Sequence, residues 1–466
     1  MVKEGNTTDG AWAWHGHGRD EVTITAVSTV APALPVQEHR LPLSNLDLIL
    51  PPIDVSVFFC YVPAAGGRGH HHPAAVLKAA LAKTLVAYYP LAGEVVANAA
   101  GEPELLCSGR GVDVAEATAD GTALQDLRLS LPDESVEPLV PKKKAGVMSV
   151  QVTKFKCGGA VVGCTFDHRV CDAYSFNMFL VAWAAAARGG SAPPAPSFHR
   201  SFLAPREPAP LSTAGGNNLA DRLFVPVSRA PALPDTAAAN RIYCVSADDV
   251  AALQASAGSG RTKLEAFTAH LWQLYARAAA ASRRQQRCQS CCMGVVVDGR
   301  SRLRRDGAME AYFGNVLTIP YGVMGTDALR GMALGDVAGD VHRWVAEAAT
   351  GEHFRELVDW VEEQRPEPTV ARAYLGRGYG GEDAMACVVS SGMRLPIGEV
   401  DFGWGRPAFA SYHFPWPGGA GYVMPMPSAR GDGDWVVYVH AAPEVVGVME
   451  AEPTMFRALE GSDIFG

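Results

Sequence analysis

The sequence lacks the long apolar run that a membrane span requires; its longest, "FLVAWAAAA", is short and alanine-rich. It also lacks a basic stripe or a basic run interleaved with aromatics, so nucleic acid is not expected as a partner. Neither a P-loop nor a dinucleotide-binding glycine fingerprint follows any strand-like run, which leaves phosphoryl and hydride transfer without support. No G-x-S-x-G elbow is present, and that weakens a serine-hydrolase reading. The N-terminal "MVKEGNTTDGAWAWHGHGRDE" has no apolar segment of the secretory kind. Ten cysteines stand at 60, 107, 157, 164, 171, 244, 288, 291, 292 and 387 without a framework, as reduced thiols of a cytoplasmic protein do.

What is present is a folded chain. At 466 residues it exceeds one ordinary core, and two domains of roughly 200 residues are expected. Hydrophobic residues make up 48% and charged ones 19%, a globular rather than disordered balance. The net charge of −9 is spread over many short acidic patches. The dense basic stretches, "PKKKAG" around Lys142 and "SRRQQR" around Arg283, read as solvated loops or helix ends.

Strand-like and helix-like runs alternate to about residue 190. "EVTITAVSTVAPA" and "VSVFFCYVP" read as strands, and "AAVLKAALAKTLVAYYPLAG" as a helix. "VMSVQVTKFKCGGAVVGCTF" predicts a hairpin turning at Gly158-Gly159. Residues 191–235 are rich in Pro, Ser, Ala and Gly without a period, which marks a crossover linker. A second unit over 236–466 opens with strand "RIYCVS" and continues through helix "KLEAFTAHLWQLYARAAAA", strand "CMGVVVD", helix "VHRWVAEAAT" and strands ending in "DWVVYVHA". The layout is α/β in two similar halves, 1–190 and 236–466.

The chemistry concentrates in "CTFDHRVCDAYS", Cys164 to Ser175. His168 and Asp172 sit where a β-branched apolar strand gives way to a helix, a junction that holds a group rigidly yet leaves it accessible. The pair reads either as a core histidine beside an N-capping aspartate or as a general base with a helper. As zinc ligands at i, i+4 they are too few, and no metal is expected. Cys164 and Cys171 flank the histidine, which keeps a thiol nucleophile in play, with Cys164 on the same face as His168 by even spacing. "CQSCC", Cys288 to Cys292, reads as unpaired thiols in an Arg/Gln-rich loop, and "HHH" at 70–72 as a solvated loop. "DFGWGRP", Asp401 to Pro407, is a tight turn at Gly403 and Gly405 that presents Trp404, with Asp401 free to hold backbone or an arginine. "VVVDGRSR" ends a strand in Asp298 and Arg300, and "YFGN" ends in Asn315. Thr262 and Glu265 form a T-x-x-E capping box, and Arg261 and Lys263 beside that helix start suit a phosphate or else simply solvate a routine cap.

"HRVCD" and "DFGWG" in this order, with "VDGR" and "YFGN" between them, resemble the plant BAHD acyltransferase family over essentially the whole chain. "LPLSNLDLILPP", "VVSSGMRLP" and "YHFPWPGGAGYVMPMPS" are most similar to its coniferyl alcohol acyltransferase and hydroxycinnamoyltransferase-like members. Carrier-protein condensation enzymes share the fold but read H-H-x-x-x-D-G, where this chain has Asp167-His168 and Asp172-Ala173.

The resemblance implies two chloramphenicol-acetyltransferase-like domains of mixed sheet flanked by helices, joined by a long crossover, with a solvent channel between them. It implies acyl transfer from an acyl-CoA co-substrate to an alcohol or amine by a monomer, with no permanently bound cofactor. His168 would be the general base, Ser390 or Trp404 the oxyanion donor, and Arg261, Thr262 and Lys263 part of the CoA site. Asp172 would pair with Arg300 rather than relay a proton from His168. Shikimate-type members carry Trp where this chain has Gly392, so the acceptor pocket should be opened there and favour an aromatic alcohol. Arg377 is the nearby cation. Two rival readings remain, a non-catalytic phenylpropanoid-binding protein and a thiol hydrolase.

Overall fold

The computed structural model describes residues 22–63, 74–191, 193–207, 218–230, 237–281, 289–303, 308–376, 384–415 and 419–466. His70 to His72, Arg283, Cys288 and Arg377 lie outside these segments.

Two mixed sheets carry the fold. The first has six strands in the order Thr23–Val30, Val112–Ala119, Met148–Phe155, Ala160–Asp167, Asp54–Tyr61, Phe409–His413. All its pairs are antiparallel except Val112–Ala119 with Met148–Phe155. The hairpin at Gly158-Gly159 forms as the sequence predicts. Gly158 has φ 82, and a Cβ on Gly159 would meet the Tyr61 carbonyl oxygen at 2.9 Å. Strand Ala160–Asp167 is buried at every position, which is why it reads as a continuous apolar run rather than an alternation.

The second sheet has seven strands, from Tyr321–Gly325 through Ser290–Val295, Ala384–Val389, Gly421–Pro427, Trp435–Ala441 and Ala239–Val245 to Arg457–Ala458. Helix Lys263–Ala281 packs on it, with Phe267, Leu271, Trp272 and Tyr275 in a core shared with Val389, Val423 and Val437. Helix Ala173–Ala187 plays the same part for the first sheet and packs on helix Ala74–Ala87.

Four features depart from the sequence reading. Between residues 93 and 147 the chain makes strands and short helical turns, not a regular strand–helix alternation. Strand Phe409–His413, from the second half of the chain, completes the first sheet beside Asp54–Tyr61, so the sheets do not divide at the linker. Within 191–235 the described residues are packed: Leu219–Leu223 is helical, and Phe224–Pro226 pairs with Thr369–Ala371. Lys143 is likewise not solvated; its ammonium meets Asp54 at 3.1 Å with its side chain largely covered. Among the described residues, no helix is long and apolar enough to cross a membrane.

Candidate active site

The strand Ala160–Asp167 delivers the chain to a turn, His168 to Cys171, and Asp172 starts the next helix. The turn is pinned from two directions. His168 N–H donates to the Ile53 carbonyl at 2.9 Å. The Asn315 amide donates to the carbonyls of His168 at 2.9 Å and Arg169 at 3.3 Å. Asn315 is itself held by buried Asp47, whose Oδ1 accepts from its backbone N–H at 2.7 Å and its amide at 2.9 Å. The chain 314–316 thus clamps the histidine's backbone, leaving its ring free for other partners.

His168 is partly exposed as a residue, but its Nδ1 has neither solvent access nor a hydrogen-bond partner. Burial holds the imidazole below the ordinary histidine range, with its own carbonyl, Asp172, Asp167 and Asn315 pulling more weakly the other way. The ring is therefore neutral at pH 7, the form that accepts a proton.

Asp172 does not touch that ring. One carboxylate oxygen accepts from Ser175 N–H at 2.9 Å, which caps the helix. Both oxygens take Arg300, at 2.7 and 3.1 Å, and the pair is almost wholly buried. Arg300 also donates to Ser175 Oγ at 2.8 Å and to the Gly314 carbonyl at 2.9 Å, and stacks over the Tyr174 ring at 4.4 Å. Asp298 adds a contact to Arg300 at 3.3 Å. Asp172 pairs with Arg300, as the resemblance implies, and it is an N-cap as well. Ser175, fully buried and also accepting from Gly314 N–H at 3.1 Å, is a hub that the sequence reading missed. Asp47 is another, and the "SNLD" turn in which it accepts from Ser44 was its only signal.

The thiols are not placed for attack. Cys164 and Cys171 are fully buried, and burial pushes both thiols up, Cys171 further by the carboxylates of Asp172 and Asp47. His168 lies beyond the strand, in the turn, so the even spacing does not apply to it. Cys291 and Cys292 lie on buried strand Ser290–Val295, not in a loop.

Trp404 is displaced from the site. Its ring packs edge-on against Tyr61 at 5.3 Å. Tyr61 pairs with Ala160 at one end of the hairpin, whereas Asp54 pairs with Asp167 at the other. Seven residue steps at about 3.4 Å separate the indole's neighbour from His168 by more than 20 Å. The loop's own bonds explain why. Asp401 Oδ1 accepts from Gly403 and Gly405 N–H at 2.7 and 3.0 Å, both glycines at positive φ, and the Asp401 carbonyl accepts from Arg188 at the far end of helix Ala173–Ala187. The motif is a latch, and Trp404 cannot serve as an oxyanion donor at His168. Ser390 follows strand Ala384–Val389, with its N–H on the Val423 carbonyl and its hydroxyl beside the Tyr422 phenol, which burial pushes up to about 12.

Beside the histidine turn lies a cavity of about 550 Å³. Its wall includes Leu50 and Ile53 from the first half, Tyr374 and Leu375 from the second, and Arg169 next to His168. The two guanidiniums among its described lining residues are committed: Arg169 grips Asp167 at 3.0 and 2.6 Å, and Arg365 grips Glu102 at 2.6 and 2.9 Å. Gly392 does not open a space. A Cβ there would meet Met426 Cγ at 2.6 Å, Met424 Cε at 3.1 Å and Leu395 at 3.3 Å, so methionines fill the volume that an indole would take.

The expected capping box forms, with Thr262 N–H on Glu265 at 2.7 Å and Glu265 N–H on Thr262 Oγ1 at 3.2 Å. Arg261 lines a groove of about 670 Å³ with Asp336, Asp340, His342 and Arg343, while Thr262 and Lys263 are exposed beside it.

Comparison with known proteins agrees in scale. The profile of the Transferase family matches residues 20–455. The chain is 29% identical over 454 residues to shikimate O-hydroxycinnamoyltransferase of Nicotiana tabacum, covering 92% of this chain and 98% of that protein. It is 30% identical over 442 residues to hydroxycinnamoyl-CoA:5-hydroxyanthranilate N-hydroxycinnamoyltransferase HHT4 of Avena sativa, covering 88% and 94%. Among solved structures, vinorine synthase superposes with a TM-score of 0.68 at 20% identity, over 95% of this chain and 100% of that one. That likeness shows the fold, two chloramphenicol-acetyltransferase-like units of mixed sheet flanked by helices.

Proposed function

This chain belongs to the plant BAHD acyltransferase family and is an acyltransferase, and from that premise we propose that it moves a hydroxycinnamoyl or acetyl group from coenzyme A to an uncharged phenylpropanoid alcohol of the coniferyl kind. The observation that carries the reading is His168: a neutral imidazole on a rigid turn, its Nδ1 walled off, beside a cavity with no uncommitted guanidinium among its described lining residues.

His168 Nε2 takes the proton from the acceptor hydroxyl as that oxygen attacks the thioester carbonyl. The intermediate collapses with cleavage of the carbon–sulfur bond, and the same proton passes to the departing CoA sulfur. No acyl-enzyme is needed, since both substrates are held together. Ser390 is the remaining candidate to donate to the oxyanion. Asp172, Arg300, Asp298 and Asn315 hold the turn and do not touch the substrate.

The cavity beside Arg169 takes the acceptor. Carboxylate acceptors are disfavoured there, because a buried anion needs a cation to offset its desolvation and both guanidiniums among the described lining residues are already paired. The groove at Arg261, Thr262 and Lys263 takes CoA phosphates at the helix start, with Arg343 and His342 across it held by Asp340 and Glu265. In this arrangement residues 1–190, completed by strand Phe409–His413, and the remainder of 236–466 are the two catalytic lobes and 191–235 the crossover, in a cytoplasmic monomer. A second reading follows the relatives' names, shikimate or an amine as acceptor.

The test is a matrix of acetyl-CoA and hydroxycinnamoyl-CoAs against coniferyl alcohol, shikimate, 5-hydroxyanthranilate and putrescine. The highest kcat/KM on coniferyl alcohol supports the first reading, and on shikimate or an amine the second. No turnover with any pair would leave a binding protein. Free acid formed without acceptor and blocked by alkylation would restore a thiol hydrolase.

A further inference from the structure

Far from the histidine turn, three side chains from two distant parts of the chain converge. Asp133 and Glu137 stand at i, i+4 across the short helical segment after Leu131, and His413 ends strand Phe409–His413. One ligand atom from each lies within 4.8 Å of the others.

The histidine is the unusual member. It is 1% exposed, yet neither ring nitrogen has a hydrogen-bond partner, and Nε2 points at Asp133 Oδ1 from 3.9 Å. A buried polar side chain left unsatisfied on both sides costs free energy, and such groups call for an explanation. Its ring stands perpendicular to that of Tyr438, with centroids 6.0 Å apart, and Asp133 is the carboxylate that Nε2 faces.

The carboxylates are placed to receive a cation. Asn240 fixes Asp133, donating its amide to Oδ1 at 2.6 Å and its backbone N–H to Oδ2 at 3.4 Å. Asn240 is oriented in turn, because its Oδ1 accepts from Tyr438 O–H at 2.6 Å and pairs with His440 Nδ1 at 2.9 Å. That is the supporting shell that metal-binding carboxylates ordinarily have. Glu137 meets the ammonium of exposed Lys142 at 3.1 Å, a surface contact of little worth that a divalent ion can displace.

We propose that His413, Asp133 and Glu137 form a site for one divalent ion of the zinc class, completed by water, that staples the 132–139 segment to the strand lent by the second half of the chain. One imidazole with two carboxylates suits zinc or manganese better than calcium or a thiolate-seeking ion. Tetrahedral ligands about 2.0 Å from the ion stand roughly 3.3 Å apart, so closure requires the two solvent-edge carboxylates to move in by about 1 Å. The staple is independent of acyl transfer.

The experiment uses the full chain, stripped with chelator and titrated with Zn2+, then with Mn2+, followed by calorimetry and by metal analysis after gel filtration. One equivalent of zinc is expected, together with a rise in Tm that EDTA reverses. His413→Gln should weaken uptake at least tenfold, and so should Asp133→Asn combined with Glu137→Gln, whose altered groups lie at the solvent edge and leave the core intact. Failure of the stripped chain to take up either ion overturns the site. So does uptake unchanged in the double variant, which would place the ion elsewhere, even if His413→Gln does not fold.

Discussion

Asp172 binds the Arg300 guanidinium with both carboxylate oxygens, at 2.7 and 3.1 Å, and caps the following helix with one of them. Removing either partner strands the other charge in a site that is almost wholly buried, and such losses cost about 3–5 kcal/mol. Asp172→Ala and Arg300→Ala should therefore lower Tm and activity together and by similar amounts. Asp172→Asn keeps the cap, and in folded protein it should retain more activity than His168→Ala. The reverse order, measured at a temperature where both variants are folded, would make Asp172 part of the proton path.

His168→Ala removes a ring that makes no hydrogen bond through Nδ1, so Tm should change little. The kcat should fall about 10²- to 10⁴-fold, the usual worth of a general base. Retention of more than about a tenth of the activity ends that assignment.

Because burial lowers the pKa of His168, the reactive neutral form persists to lower pH than a free histidine allows. The acid limb of kcat/KM should lie below pH 6.5. A limb above that value would mean that a different group titrates.

The same sign governs stability. His168, His270 and His413 are all held below 6.5, and His353 is pushed down to about 4, by burial. Between these values and 6.5 the unfolded chain binds more protons than the folded one, so stability is lost as pH falls from 6.5 towards 4. Urea midpoints across that range should decline on acidification, and a flat profile would contradict the burial of these rings.

Trp404→Ala should cost stability through its packing on Tyr61 and Phe402 while kcat stays within a few-fold. A hundredfold drop in kcat with an unchanged melting curve would return the indole to the chemistry. Gly392→Trp should destabilise, since Met426 occupies the space, and relief by an added Met426→Gly would locate the clash.

Local pattern determined much of this protein. The continuous apolar run of Ala160–Asp167, the two glycines of its hairpin and the T-x-x-E cap at Thr262 act within a few residues, so the sequence by itself specified the elements that carry His168 and open helix Lys263–Ala281. The spaced motifs, read as a resemblance, likewise pointed to the family. What only tertiary structure decided was set by contacts between distant residues, which leave no period in the chain. Asp47 supports Asn315 across 268 positions, Ser175 bridges Gly314 across 139, and strand Phe409–His413 joins a sheet from the other half. "DFGWG" announced a turn, yet nothing local could say that the turn latches onto Arg188 and Tyr61, at the end of the hairpin away from the chemistry. Gly392 announced a missing side chain. Only packing revealed that Met424 and Met426 had taken its place, because a flexible thioether fills whatever space its neighbours leave.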